Sequence, residues 1–273
     1  MAIITISRQV GALGDEVSSE LARRLGYKFI AREEIEKRIV EFGFKESKLP
    51  KYDERKPGFF ASLAKDRDEY LNYTQYAILE AAQNKNVIII GRGAFVVLQD
   101  VPNNISVRLI SDDETRIKRL MAEHNWDEKQ AVQRIKESDA NRAGFHSSFY
   151  NVDIDDAAFY HTVINTSKLD LKLTVSLIAN LVESKVTVKQ EEDGNKVIDE
   201  LLKAQGVVNK LSMELHLNIE FMHASIHENT LVLHGVSDSP ATVEQALQYI
   251  RKEMPGFEVK SAVSIVHDFK TFQ

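Results

Sequence analysis

Residues 1–15 read Met1-Ala2-Ile3-Ile4-Thr5-Ile6-Ser7-Arg8-Gln9-Val10-Gly11-Ala12-Leu13-Gly14-Asp15, and this stretch decides the fold. An apolar run, Ile3 to Ile6, leads straight into a loop with two glycines, and a polar-faced helical segment, Glu16 to Leu25, follows. Val17, Leu21 and Leu25 recur every four residues with Ala22 beside them, one apolar stripe that Gly26 stops. Strand, glycine turn, helix is the geometry that aims backbone N–H groups and a helix N-terminus at a phosphate. The same spacing fits a plain turn between strand and helix. The residue pair that would separate the two readings is missing, because no stretch of the chain matches G-x-x-x-x-G-K-[ST].

Working outward, the strand–helix alternation repeats. Tyr27 to Ile30 is a short strand candidate, and Ile35, Ile39 and Phe42 return to helical period from Arg32. Glu46 to Gly58, with Pro50 and Pro57, reads as a loop or lid edge, and Leu63 to Gln83 as a long helix. Val87 to Ile90 is a continuous β-branched run ended by Gly91, as suits a strand buried on both faces of a parallel sheet. Ile105 to Ile110 is the next strand. Ser111 and Glu114 then have the spacing of a capping box, and Asp127 and Gln130 repeat it before a helix running to about Arg142. His161 to Asn165 is a fifth strand, and Thr166 and Ser167 start a helix over about Leu169 to Glu183. Five such alternations predict an α/β fold, a five-stranded parallel sheet with helices on both faces.

Near residue 185 the character changes. Lys185 to Asn195 is charged and carries Asp193-Gly194, which reads as a linker. Beyond it come a short helix (Lys196 to Gln205), strands at about Leu215 to His227 and Thr230 to Val236 around Asn229, a helix at Pro240 to Met254, and a last strand, Glu258 to Val266. The expected division is 1–184, a linker at 185–195, and a small α+β unit at 196–273, near the lower size for independent folding.

Composition narrows the function. The chain has 273 residues, 43% of them apolar, and a net charge of −6. It can fill a core, so disorder is excluded. An acidic balance removes generic attraction to nucleic acid, so any anion site is local. With no cysteine, disulfides, thiolate metal sites and a cysteine nucleophile are excluded. No apolar run approaches membrane-spanning length and no leader pattern opens the chain. A cytoplasmic location is expected.

The chemistry is carried by basic residues. Arg8, Arg32 and Arg92 each follow a strand, and ligands of open α/β sheets bind outside the carboxyl ends of the strands. Each can grip a phosphate with two parallel hydrogen bonds. Arg134, Asp139 and Arg142 share a helix. They fit either surface ion pairs worth a few tenths of a kcal/mol or a lid that brings positive charge to a transferring phosphoryl group. His216, His223, His227, His234 and His267 fall in the C-terminal unit on mixed faces without metal-ligand spacing, and no metal-ligating residue is assigned.

Ile6 to Gly14, continuing through Leu21-Ala22-Arg23-Arg24-Leu25-Gly26-Tyr27, resembles the opening of the cytidylate kinase-like family, of the P-loop nucleoside monophosphate kinase type. The resemblance continues in order at Ile88 to Ala94 (IIIGRGA), Val107 to Ile117 (VRLISDDETRI), Ala131 to Arg142 (AVQRIKESDANR), Phe149 to Ile154 (FYNVDI) and Phe159 to Thr166 (FYHTVINT), and it spans about residues 1–183. It implies a P-loop kinase-like sheet, ATP and Mg²⁺ as cofactors, and phosphoryl transfer to a small acceptor such as CMP. It implies that Gly11, Ala12, Leu13, Gly14, Asp15 and Glu16 cradle the donor phosphates. Asn165 and Thr166 would lie near the donor base, Arg32 and Arg92 would bind the acceptor, and Arg134, Asp139 and Arg142 would serve the transfer, to which the strand-end position of Arg8 adds a further candidate catalytic residue. Three departures matter, the first of which, loss of the loop lysine, the cytidylate kinase-like family commonly shares. Gly14 stands where ordinary cytidylate kinases carry the loop lysine, Leu13 replaces a glycine and so calls for a negative φ, and Ala31 replaces an acidic residue. Arg8 or a lid arginine is then the candidate substitute for the lysine, and Asp15 and Glu16 are the carboxylates nearest the loop. A nucleotide-sensing protein without turnover is the alternative, and a structural scaffold ranks third. Residues 196–273 resemble a BON domain at Val197 to Leu202, Ala224 to Gly235, Ala241 to Ile250 and Pro255-Gly256-Phe257. That implies a small ligand, a membrane surface or a protein as its partner.

Overall fold

A computed structural model describes residues 2–52 and 67–266. The first unit is built from β1 (Ile3–Arg8), α1 (Gly14–Leu25), β2 (Lys28–Ile30), α2 (Arg32–Glu41), a 3-10 turn at Glu46–Tyr52, α3 (Arg67–Gln83), β3 (Val87–Ile90) and α4 (Ala94–Val97). It continues through β4 (Asn104–Ile110), α5 (Asp113–His124), α6 (Glu128–Tyr150), β5 (Thr162–Asn165) and α7 (Leu171–Lys185). The parts of the expected loop and long helix that fall on residues 53–66, and His267, lie outside the described residues.

The five strands form one sheet in the order β2-β3-β1-β4-β5, all pairs parallel, as the alternation predicts. Successive side chains of a strand point to opposite faces, and the sheet accordingly has two cores. Ile3 joins Val87, Ile89 and the apolar faces of α2 and α3. Ile4 and Ile6 join Ile88, Ile90, Val17 and Leu21 of α1, and Val175 and Ile178 of α7.

Several boundaries differ from the sequence reading for local reasons. Ser111 does not cap α5; Asp112 does, accepting from the Thr115 N–H at 2.8 Å. α7 likewise starts from Asp170 rather than Thr166 or Ser167. α6 opens with the Asp127–Gln130 capping box as expected, but runs past Arg142 to Tyr150, because Phe145 and Phe149 sit in the core beside Tyr52 and Tyr70.

The largest correction concerns residues 185–195. They form no linker. α8 spans Val188–Asn209, opened by a Thr187–Gln190 capping box, and Gly194 is buried inside it. The glycine lets the helix lie against Asn103, whose side-chain oxygen would sit only 1.9 Å from an added Cβ. Ile198 joins the first core, while Val207 belongs to the second unit. That unit contains β6 (Glu220–His227), β7 (Thr230–Ser237), α9 (Pro240–Glu253) and β8 (Glu258–Ile265). Its sheet runs β6-β7-β8, with an antiparallel hairpin followed by a parallel pair that α9 connects. Leu231 and Leu233 face Ala246, Leu247 and Ile250. On the opposite face His223 pairs with His234, and their rings stack with centroids 4.5 Å apart.

Candidate functional site

The site begins where β1 ends. Arg8 is its last residue, and Gln9 locks the exit: its N–H donates to Leu109 O at 3.0 Å, and its side-chain oxygen accepts from the Ser111 N–H at 3.0 Å. Gly11 then takes φ +72°. Leu13 takes φ +58°, ψ +33° as the residue preceding α1. The expectation of a negative φ is therefore overturned: the leucine holds the left-handed conformation of the glycine it replaces, at a cost of roughly 1–2 kcal/mol. Its side chain packs against the second core face, which offsets part of that cost. Leu13 makes no side-chain cap on α1, and the first amides of a helix are where an anion binds.

A cavity of about 630 Å³ opens in front of this loop. One wall is Arg8, Gly11, Leu13, Gly14, Asp15 and Glu16; the other is Arg119, His124 and Trp126 from α5 and its exit, with Arg134, Glu137 and Arg142 from α6. The His124 and Trp126 rings lie 4.3 Å apart at its edge. Ala12 is fully buried and does not line it. A second, much smaller cavity of about 40 Å³ lies alongside, lined by Arg8, Gln9, Arg108, Asp139, Arg142, Ile154 and Asp155. Arg8 and Arg142 border both.

Two arginines, Arg116 buried and Arg119 half-buried, hold this arrangement. Arg116 donates from Nε to Val10 O at 2.9 Å, from one terminal nitrogen to Asp113 at 3.1 Å, and from the other to both oxygens of Asp139 at 2.7 and 2.8 Å. The glycine loop, α5 and α6 thus meet at one guanidinium. Asp139 pairs with Arg116 and lines the small cavity, not the large one. Arg119 donates to Gly11 O at 2.9 Å, and to Thr166 Oγ1 at 3.0 Å and Thr166 O at 2.7 Å. Burial pulls the Arg119 pKa down, with Glu16 and Asp112 acting in the opposite direction. The sequence signal was the i, i+3 spacing of Arg116 and Arg119 on an otherwise amphipathic helix.

Asn165 and Thr166 are not in the cavity lining. Thr166 is buried and donates to Ala12 O at 3.3 Å, while the Asn165 side-chain oxygen accepts from Ser167. Thr166 buttresses the loop from behind.

The ends of β2 and β3 carry a separate cluster. Arg92 has φ +55° and is fully buried. Its guanidinium donates to Tyr52 O at 2.7 Å and to Glu36, and lies 5.9 Å from the ring centroids of Tyr70 and Phe145. The open phosphate grip expected of it is absent in this conformation. Burial first, then Arg32, push its pKa down to about 9, with Arg8 adding in the same direction, which leaves it charged at neutral pH. Arg32 Nε lies 3.3 Å from the same Glu36 and 3.9 Å from Glu33, so two carboxylates face the two arginines. Tyr150 closes it, donating to Arg92 O at 2.9 Å.

Residues 3–168 match the Cytidylate kinase-like family. The chain is 27% identical over 192 residues to a cytidylate kinase of Archaeoglobus fulgidus, covering 69% of this chain and 99% of that protein. It is 26% identical over 127 residues to one of Methanocaldococcus jannaschii, covering 46% and 70%. A crystal structure of an uncharacterised protein from Eubacterium ventriosum shares the fold, with a TM-score of 0.56, 24% identity, and coverage of 67% and 98%. Among the described residues no helix is long and apolar enough to cross a membrane. The match spans the strands, the glycine loop and both cavities, and on it the chain belongs to the Cytidylate kinase-like family.

Proposed function

We propose that this protein transfers the terminal phosphoryl group of ATP to a small phosphate acceptor, with the nucleoside monophosphate CMP as the first candidate. One observation carries the reading. A cavity of about 630 Å³, of the size of small-molecule sites, sets a glycine loop and a helix N-terminus against Arg8, Arg119, Arg134 and Arg142. Phosphoryl transfer runs mostly on positioning and charge, and a phosphate acceptor needs no general base. The Gly11–Glu16 backbone binds the donor phosphates, and Trp126 with His124 offers the base an aromatic wall. Arg8 and Arg142, bordering both cavities, flank the transferring group, with Arg134 beside them. Asp139 positions the loop through Arg116. Arg32 meets the acceptor phosphate, and Arg92 adds charge from behind it.

The carboxylates present suit Mg²⁺. Asp15 and Glu16 are exposed on the first turn of α1 and line the cavity, and Mg²⁺ is commonly held by one or two carboxylates together with phosphate oxygens. When bound, the ion neutralises charge between donor phosphates. Residues 196–273 we read as a BON-like unit whose partner is a small ligand, a membrane surface or a protein, and the location as cytoplasmic.

A second reading, nucleotide sensing without turnover, is favoured by one feature: Arg92 is turned inward onto Glu36 and Tyr52. A panel of monophosphate acceptors with Mg-ATP, run beside nucleotide-induced thermal stabilisation, separates the readings. Turnover with CMP supports transfer. Stabilisation without turnover supports sensing, and the absence of both turnover and stabilisation overturns both readings.

A further inference from the structure

We propose that the loop's cation and a glycine have exchanged places, so that Arg8 at the end of β1 supplies the phosphate-binding charge usually carried at the start of the helix. This rests on the nucleotide reading above. In the pattern G-x-x-x-x-G-K-[ST] the lysine opens the helix and the first glycine stands six positions before it. α1 begins at Gly14, and setting Gly14 at the lysine position puts Arg8 at that first glycine. The glycine is where the cation belongs, and the cation is where the glycine belongs.

The geometry makes the two positions one site. A Cβ on Gly14 would lie 2.5 Å from Arg8 Cγ, and 3.2 Å from both Arg8 Cβ and Cδ. These atoms are the root of the arginine side chain, so swinging the guanidinium aside does not make room. The Arg8 stem fills the space through which a lysine at position 14 would leave the helix. Arg8 also borders both cavities. A guanidinium offers two parallel donors to a phosphate, where a lysine offers a point charge. The exchange therefore alters the direction of approach and keeps the charge.

The test is Mg-ATP binding by isothermal titration to the full chain and to four variants: Arg8→Met, Arg8→Gly, Gly14→Lys and the double Arg8→Gly/Gly14→Lys. Arg8→Met keeps the packing stem without the charge, and melting curves of each variant check folding. Arg8→Met and Arg8→Gly are expected to weaken binding by about tenfold or more. Gly14→Lys alone clashes with the Arg8 stem and also weakens it. The double variant regains binding to within about threefold of the unmodified chain, a non-additivity that only neighbouring, coupled positions give. Equal binding by Arg8→Met and the unmodified chain, or a double variant as weak as the sum of its parts, overturns the exchange. No binding of Mg-ATP by the unmodified chain overturns the nucleotide reading itself.

Discussion

Arg116 is the residue on which the site's geometry turns. Its guanidinium is buried and satisfies a loop carbonyl and two carboxylates on different helices. Arg116→Met is expected to cost about 2 kcal/mol, the range for hydrogen bonds to charged groups, read as a lower urea midpoint at unchanged m-value. Gly93 makes a second single-residue case. It has φ +73°, and a Cβ there would lie 2.2 Å from the Tyr150 ring. Gly93→Ala is expected to destabilise by about 3 kcal/mol from backbone strain and overpacking together. In a Tyr150→Ala background only the strain remains, so the same substitution costs less there; an equal cost in both backgrounds would contradict the packing argument. The long-range partners of these residues were not legible in the sequence: Arg116 and Asp139 are 23 positions apart, and nothing local couples them. Leu13 was misread for a different reason. Its side chain argues for negative φ, but the fixed ends of β1 and α1 impose the loop's conformation on it.

At the scale of elements, the strands and helices of the sheet were legible because their signals are local, namely the β-branched run of β3, the four-residue period of α1 and the capping box of α6. α8 was not. Asp193-Gly194 is a turn signal in isolation, yet Gly194 is a packing glycine against Asn103. The two effects give opposite signs for Gly194→Ala. Helix propensity would stabilise by about 1 kcal/mol, whereas the clash would destabilise. With the nearest atom at 1.9 Å, the clash is expected to win, and the melting temperature to fall. Placing the alanine in an Asn103→Ala background should reverse the sign. On the second sheet, His234 titrates below its ordinary value of 6.5, because of burial first and the stacked His223 second. The fold therefore favours neutral His234. The stability this contributes is present above the ordinary value and is lost as pH falls through it and through the lowered one. An NMR titration should place the His234 midpoint below 6.5, moving upward in His223→Ala; a midpoint at or above 6.5 would contradict this.

The whole molecule is two units sharing one helix. The first half of α8 seals the core of the parallel sheet through Ile198, and hydrogen bonds from Gln83 to Asp199 at 3.0 Å and from Gln205 to Asn72 at 3.2 Å hold it to α3. Its second half fills the core of the small sheet through Val207. The sequence made the two units visible through the change of pattern near residue 185, but it could not show that they are joined by a packed rod. At this scale the proposed function requires that the Gly11–Glu16 loop receive the phosphates of a nucleotide. Amide chemical shifts of the full chain titrated with Mg-ATP test it directly. The largest, saturable changes are expected on Gly11, Gly14, Asp15 and Glu16, with the Trp126 indole N–H following at the same apparent Kd. A titration that leaves these amides unmoved, or moves only residues of the second sheet, would contradict it.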